Sequence, residues 1–358
     1  MKHKQAQITS GESGIKGRNE SVSIAKGIAI LLMVLAHSGF YSYGCLWINI
    51  FHMPLFFFFS GFCFKEKYLD DGKMYILKRI KALYVPFVKW NILFLLMHNI
   101  FYYVNIYNDK YGFGDITSHL YSLSEMLKVG LNIITKMSDS EQLLGGFWFL
   151  RCLFLGSLIN FFLIKYVRNI KIAMGGVIGL TVLSSVLHIG FPYWDIGSKE
   201  LLSSLFIYIG YIYKKKELKW HYCWQIALVA VFLTALMAKW WWACMLSFYY
   251  LQVIPYFLIA SLGVLAVFYI SCYIKKYNNA IVNLLIFAGN NSLTILIWHF
   301  LSFKLVSIIL VAKNGEPIER LAEFPVISEM ASDGWWCAYF IVGSVVPMLL
   351  AKIPFLRK

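Results

Sequence analysis

Ten long, nearly continuous apolar runs constrain this chain more than any other feature. They fall at about 27 to 46, 47 to 64, 82 to 104, 146 to 164, 172 to 189, 200 to 213, 222 to 238, 250 to 274, 286 to 312 and 335 to 351. Typical runs of about eighteen to twenty-two residues suit helices crossing a roughly 30 Å hydrocarbon core, whereas a membrane β-barrel would show alternating segments of about ten. With 59% hydrophobic, 18% aromatic and only 14% charged residues, a soluble globular fold is excluded. The sixth run is short, and the ninth is long and interrupted by "GNNS".

The formal net charge of +15 would suggest nucleic acid in a soluble protein. In a membrane protein it follows the loops instead. With a cytoplasmic N-terminus, the inside segments hold 23 of the 33 Lys and Arg, the outside loops 7 and the spans 3. Acids run the other way, 6 inside and 12 outside, as the positive-inside rule requires. The expected fold is therefore an all-α integral membrane protein, a single bundle of about ten transmembrane helices with both termini cytoplasmic. Residues 1–26 form a cytoplasmic segment, 27–351 the membrane domain and 352–358 a cytoplasmic tail. The first run lacks a small-residue cleavage site, so it is expected to be retained. Seven scattered cysteines with no CxxC pair read as small core residues. Two outside loops are long: 105–145, with Asp109, Asp115, Glu125, Asp139 and Glu141, and 313–334. Such loops either cover the outer face or are solvated decoration.

The first run, "KGIAILLMVLAHSGF", carries Lys26 at one end and His37 within. Eleven residues at 1.5 Å each separate them by about 16 Å and return to the same helix face. This places Lys26 at the inner interface and His37 near midplane, either as a functional group or as a histidine bonded to a neighbouring helix. The second run, "FHMPLFFFFSGF", adds His52, Pro54 and a small Ser60-Gly61 step. The fourth opens "FWFLRC", with Trp148 and Arg151, whose guanidinium either meets an anionic or carbonyl partner or snorkels to headgroups. In the ninth, Asn290, Asn291 and Ser292 can cap or break a helix, and Ser292 shares a face with His299. Lys78, Arg79 and Lys81 lead into the third run, as phosphate ligands or as ordinary inside charges. The three histidines lack metal spacing within any helix, which leaves only a zinc site built across helices as the weaker alternative, and no metal is expected. Walker, GxGxxG, GxSxG and HExxH patterns are absent.

At these residues the chain resembles the membrane acyltransferase family 3. The resemblance rests on "KGIAILLMVLAH", "FHMPLFFFFSGF", "YVPFVKW", "FWFL" and "GNNSLTILIWH", in order from about residue 20 to 351. It implies a ten-helix bacterial inner-membrane enzyme that moves an acyl group, usually acetyl from cytoplasmic acetyl-CoA, to a hydroxyl of an extracytoplasmic glycan. The family's basic residue and essential histidine fall on Lys26 and His37. Lysine instead of arginine is found in a branch resembling fucose acetylases, and removes the bidentate fork but keeps the charge. Ser23 stands where that branch has aspartate, and no SGNH-type hydrolase pattern follows the last run.

The resemblance further implies CoA phosphates near Lys26, Lys78, Arg79 and Lys81, with His37, His52 and His299 as catalytic candidates. Ser60, Trp148, Arg151, Asn291 and Ser292 are then substrate-contacting or structural polar positions. The expected partners are the bilayer and a glycan acceptor, with no nucleic acid. The competing reading is a transporter or flippase of a lipid-linked glycan, against which stands the lack of internal repeats. A glycan polymerase and a purely structural subunit are further rivals.

Overall fold

The computed structural model describes residues 19–112, 117–138, 141–167, 169–191 and 193–356, so most of the expected cytoplasmic N-terminal segment, Asp115, Asp139 and the last two residues of the tail lie outside the described residues. In chain order the helices are α1 (Glu20–His37), α2 (Ser42–Phe62), α3 (Gly72–Arg79), α4 (Val85–Tyr103), α5 (Leu123–Lys136), α6 (Trp148–Tyr166), α7 (Ile170–Leu187), α8 (Ser198–Lys215), α9 (Trp224–Trp240), α10 (Val253–Ile274), α11 (Ala280–Asn290), α12 (Ser292–Asn314) and α13 (Ser328–Leu350). Among the described residues eight helical runs are long and apolar enough to cross a bilayer, and the protein is an all-helical, multi-pass membrane bundle. Helices α8 and α9 occupy the sixth and seventh expected spans; α8 carries Lys199, Glu200, Lys214 and Lys215 near its ends, and α9 has 17 residues.

Several boundaries differ from the hydropathy reading: α1 ends at His37 and α2 begins at Ser42, where the expected runs met at 46 and 47, and α13 begins at Ser328 rather than 335. Three differences have local reasons. Helix α1 begins at Glu20, capped by the Asn19 side chain on Ser21 N, because Ser21 and Ser23 are buried by packing although they are polar. Lys26 therefore lies in the second turn of the helix, and His37 is its last residue. Helix α3 is basic and runs through a π turn (Ile80–Tyr84) into α4, a continuous stretch of 32 residues that hydropathy truncates at its charged end. The π turn sits immediately before Pro86, which has no N–H for the helix ladder. The ninth expected span is two helices: α11 ends at Asn290, and Asn291 closes it by donating from Nδ2 to Phe287 O at 2.8 Å.

Two glycine crossings bring backbones into contact. A β-carbon on Gly27 would run into the Leu285 carbonyl, and one on Gly289 into the Ser23 carbonyl, so α1 and α11 meet with nothing between them. Gly61 and Gly210 do the same for α2 and α8, against Ile207 O and Phe58 O. By contrast, nothing lies within 4 Å of a β-carbon on Gly175, Gly176 or Gly179 of α7. The loop 105–145, expected on the outside, carries structure of its own among its described residues. It contains α5, N-capped by the Ser122–Glu125 capping box. It is also anchored to α4, where the buried His98 meets Glu141 at 3.3 Å, stacks on Tyr121 at 3.8 Å and donates from Nε2 to His119 O at 3.1 Å. Tyr107 donates to the same Glu141 carboxylate at 3.1 Å.

The crossings make a direct test. Gly27→Ala and Gly289→Ala are each expected to destabilise the folded protein by about 1–3 kcal/mol through overpacking. Gly175→Ala, placed in open space, is expected to leave the thermal midpoint in the same detergent unchanged. Equal midpoints for all three variants would contradict the crossing.

Candidate active site

A cavity of about 570 Å³ lies between α1, α2, α3, α6 and the α11–α12 junction. Helical periodicity gives each wall its row. On α1 the lining residues are Val22, Lys26, Ile30 and Met33; on α2, Cys63, Ser60, Phe56 and Met53; on α12, Ser292, Leu293 and Leu296. From Asn19 to Met33 the α1 wall rises about 21 Å. One further turn reaches His37 from Met33 and His299 from Leu296, and His52 is the residue next to the lining Met53.

The three imidazoles converge. His37 and His299 have ring centroids 5.6 Å apart, and His37 lies within electrostatic reach of both His299 and His52. Phe300 packs against both of the closer rings, 5.0 Å from His37 and 3.9 Å from His299. His52 and His299 are buried, while His37 is partly exposed at the end of α1. His52 lies halfway along α2, whereas in the apolar run 47 to 64 it falls near one end. A carbonyl can only accept, so the ring proton of His299 is on Nδ1, which donates to Leu296 O at 2.9 Å; His52 Nδ1 donates likewise to Ile48 O at 2.9 Å. Each neutral ring then presents the lone pair of Nε2. His299 Nε2 is buried with no hydrogen-bond partner among the described residues, as is Ser60 Oγ. Such orphaned polar atoms beside a cavity are positions where a ligand or water is recognised. Among the described residues no three metal-binding side chains are grouped to hold an ion.

The opposite end of the cavity is basic. Lys78 lies over the Tyr68 ring, 5.0 Å from its centroid, and donates to its hydroxyl at 3.2 Å; Arg79 lies 5.0 Å over the Tyr75 ring. Tyr75 is itself fixed by stacking on Phe161 at 5.1 Å and donating to Ser157 O. The aromatic faces thus hold two cations at the mouth, alongside Lys26. Nearby, the Tyr211 hydroxyl and then Lys215 hold the exposed Glu66 carboxyl below the usual carboxylate range. Ser23 Oγ donates to Asn290 Oδ1 at 3.1 Å, so the serine found where a carboxylate was expected ties α1 to the junction.

Other expected site residues lie elsewhere. Lys81 faces a neighbouring pocket of about 330 Å³ with Asp71, Lys73 and Lys78. Trp148 packs on the core, whereas Phe149, Leu150 and Leu153 of the same helix line the cavity. Asn291 serves the helix break. Arg151 neither snorkels nor enters the cavity: its guanidinium donates to Trp194 O and Asp195 O, and its Nε lies 3.7 Å from the buried Glu200, latching the α7–α8 loop to α6. Tyr68, Tyr75 and Cys63 also line the cavity and were missed as site residues, and Asn290, read only as a helix cap or break, lines it too. The 3–4-residue spacing of Tyr75, Lys78 or Arg79, and Leu83 is the signal that could have found Tyr75.

The structure is a multi-pass helical bundle with an internal cavity that is basic at one end and has a histidine cluster near the other. The chain belongs to the acyltransferase 3 family: the family model described as an acyltransferase domain matches residues 19–352, and the protein is an acyltransferase. No curated protein and no solved structure matches it.

Because Arg151 acts on a loop, Arg151→Met is expected to lower the thermal midpoint while leaving acyltransferase activity of the folded protein within about twofold, breaking a partly buried pair being a stability cost. A large loss of activity at an unchanged midpoint would instead put Arg151 in the active site.

Proposed function

We propose that the protein moves an acyl group, acetyl foremost, from cytoplasmic acyl-CoA to a hydroxyl of an extracytoplasmic or lipid-linked glycan at the bacterial inner membrane. The observation that carries this reading is the cavity, with Lys26, Lys78 and Arg79 at one end and His37, His52 and His299 near the other. The basic end faces the cytoplasm in the topology that the Lys and Arg distribution supports. CoA phosphates meet the cations there, and the apolar wall between them and the histidines suits the pantetheine arm.

At the histidine end, a ring Nε2 takes the proton of the acceptor hydroxyl as its oxygen attacks the thioester carbonyl. Collapse of the tetrahedral intermediate breaks the C–S bond, and the proton passes to the departing CoA sulfur, giving ester and free CoA thiol. His37 suits the base role because it is the partly exposed member, and the acceptor approaches from that end. The paired His299 supports it through the ring contact, and the same geometry allows a transient acyl-imidazole on His37. Ser60 Oγ and Ser292 are donors along the path, able to hold polar atoms of the donor arm.

The test separates the two ends. His37→Ala is expected to reduce kcat for acyl transfer by about 10²–10⁴ with the KM for acyl-CoA nearly unchanged. Lys78→Ala and Arg79→Ala are each expected to raise that KM about tenfold with kcat nearly unchanged, since charge-assisted phosphate contacts act mainly in binding. Full transfer by the His37 variant overturns the proposal. Mass spectrometry of the surface glycan, with and without the protein, is expected to show the gain of one acyl mass.

A further inference from the structure

The second long outside loop crosses directly over the histidine cluster. After α12, residues Ile318–Ala322 form a short 3₁₀ turn and Glu323–Ile327 run on to α13. Ala322, Val326 and Ile327 are buried, so this segment belongs to the core. Phe324 packs on Phe300 with centroids 4.6 Å apart, and Phe300 is the ring that covers His37 and His299. Gly145, from the other long outside loop, closes the same spot: a β-carbon there would lie 3.6 Å from Phe324 and 3.7 Å from Phe300. Val326 meets Gly39, two residues past His37 in the turn that leaves α1 with φ +79°.

One side chain fastens this segment to the bundle from below. Lys304 is 2% exposed, and its ammonium donates to Leu321 O and Glu323 O, each at 2.7 Å. It stands four residues after Phe300, on the same face of α12, so successive turns of one helix grip the segment first by a ring and then by a cation. A buried ammonium is expensive, and an apolar side chain of equal length would fill the space at less cost, so the charge is kept for what it holds. The segment is also tied to itself, because Arg320 bonds Glu316, Glu323 and Glu329, and to the other loop, because Asn108 donates to Glu319 O at 2.8 Å. It is therefore built to move as a unit when Lys304 lets go.

We propose that residues 318–327 are a lid over the histidine cluster, that Lys304 is its latch, and that a hydroxyl-bearing acceptor reaches His37 by displacing Phe324. The identity of what enters rests on the acyl-transfer reading; the lid and latch rest on the contacts alone. Closed, the lid limits the access of water to the reacting thioester, leaving His37 only partly exposed. Lys304 is a positioning residue, acting through two backbone carbonyls.

The experiment reads lid opening without any acyl donor. Val326→Cys places a small thiol on the buried underside of the lid. In nanodiscs it is reacted with a charged methanethiosulfonate, and modification is followed by mass spectrometry site by site, with the buried Cys152 as an internal check of folding. Adding Lys304→Met is expected to accelerate modification of the cysteine at 326 by about tenfold or more, as loss of an anchor raises the open population, with Cys152 still protected. Equal rates with and without Lys304 overturn the proposal. Should Cys152 also react, Phe324→Ala, which keeps the latch and removes the wedge, takes its place with the same expected acceleration and the same contradicting result. In a second arm, release of free CoA thiol from acetyl-CoA without acceptor is expected to rise in Lys304→Met. A rise in cysteine modification with no thiol release from any form retains the lid and refutes the acyl-CoA reading.

Discussion

The backbone contact of α1 with α11 is the constraint on which the site depends. Gly27 lies on the Leu285 carbonyl and Gly289 on the Ser23 carbonyl, so the two helices touch without intervening side chains. That contact fixes the junction at Asn291, and the junction sets the direction in which α12 leaves. Only with this heading does His299 arrive beside His37. The Ser23–Asn290 hydrogen bond fastens the crossing at the level of Lys26, so one interface aligns the basic mouth and the histidine end together.

The second organising element is the way polar groups are satisfied in an apolar surrounding. His52 and His299 each spend Nδ1 on a carbonyl of their own helix, the cheapest partner available inside a bundle, and this orients Nε2 away from the helix. Arg151, Lys304 and His98 are used differently. Each binds carbonyl or carboxylate groups of a loop and holds them on the bundle: Asp195, Leu321 with Glu323, and His119 with Glu141 respectively. Polar residues near the membrane thus divide into those satisfied by their own helix and those that fasten a loop.

Much of this was legible in the sequence. Apolar run length located the helices, and charge asymmetry supported their order. The 11-residue spacing of Lys26 and His37 put both on the α1 face that lines the cavity, and the resemblance to acyltransferase 3 proteins is matched by the family model over residues 19–352. What escaped has physical reasons. Hydropathy drops polar residues that tertiary packing buries, so it started α1 seven residues late and cut α3 from α4. The interruption at Asn290, Asn291 and Ser292 was visible as a place to cap or break a helix, but hydropathy alone kept α11 and α12 in one run because both sides are apolar. Hydropathy does not distinguish an arginine aimed at a ligand from one aimed at two loop carbonyls 43 and 44 residues away. Lys304 was visible as one of three charges inside spans, but its partners are loop carbonyls with no sequence signature.

The central claim is that one cavity carries an acyl donor from a basic mouth to a histidine cluster. It is tested most directly by a structure of the protein with a non-hydrolysable thioether analogue of acetyl-CoA. The expected result has phosphates among Lys26, Lys78 and Arg79, the arm along Ile30, Phe56 and Leu296, and the sulfur next to the His37 and His299 rings. An analogue bound outside this cavity, or one whose sulfur ends at the basic mouth with its phosphates elsewhere, would contradict the account.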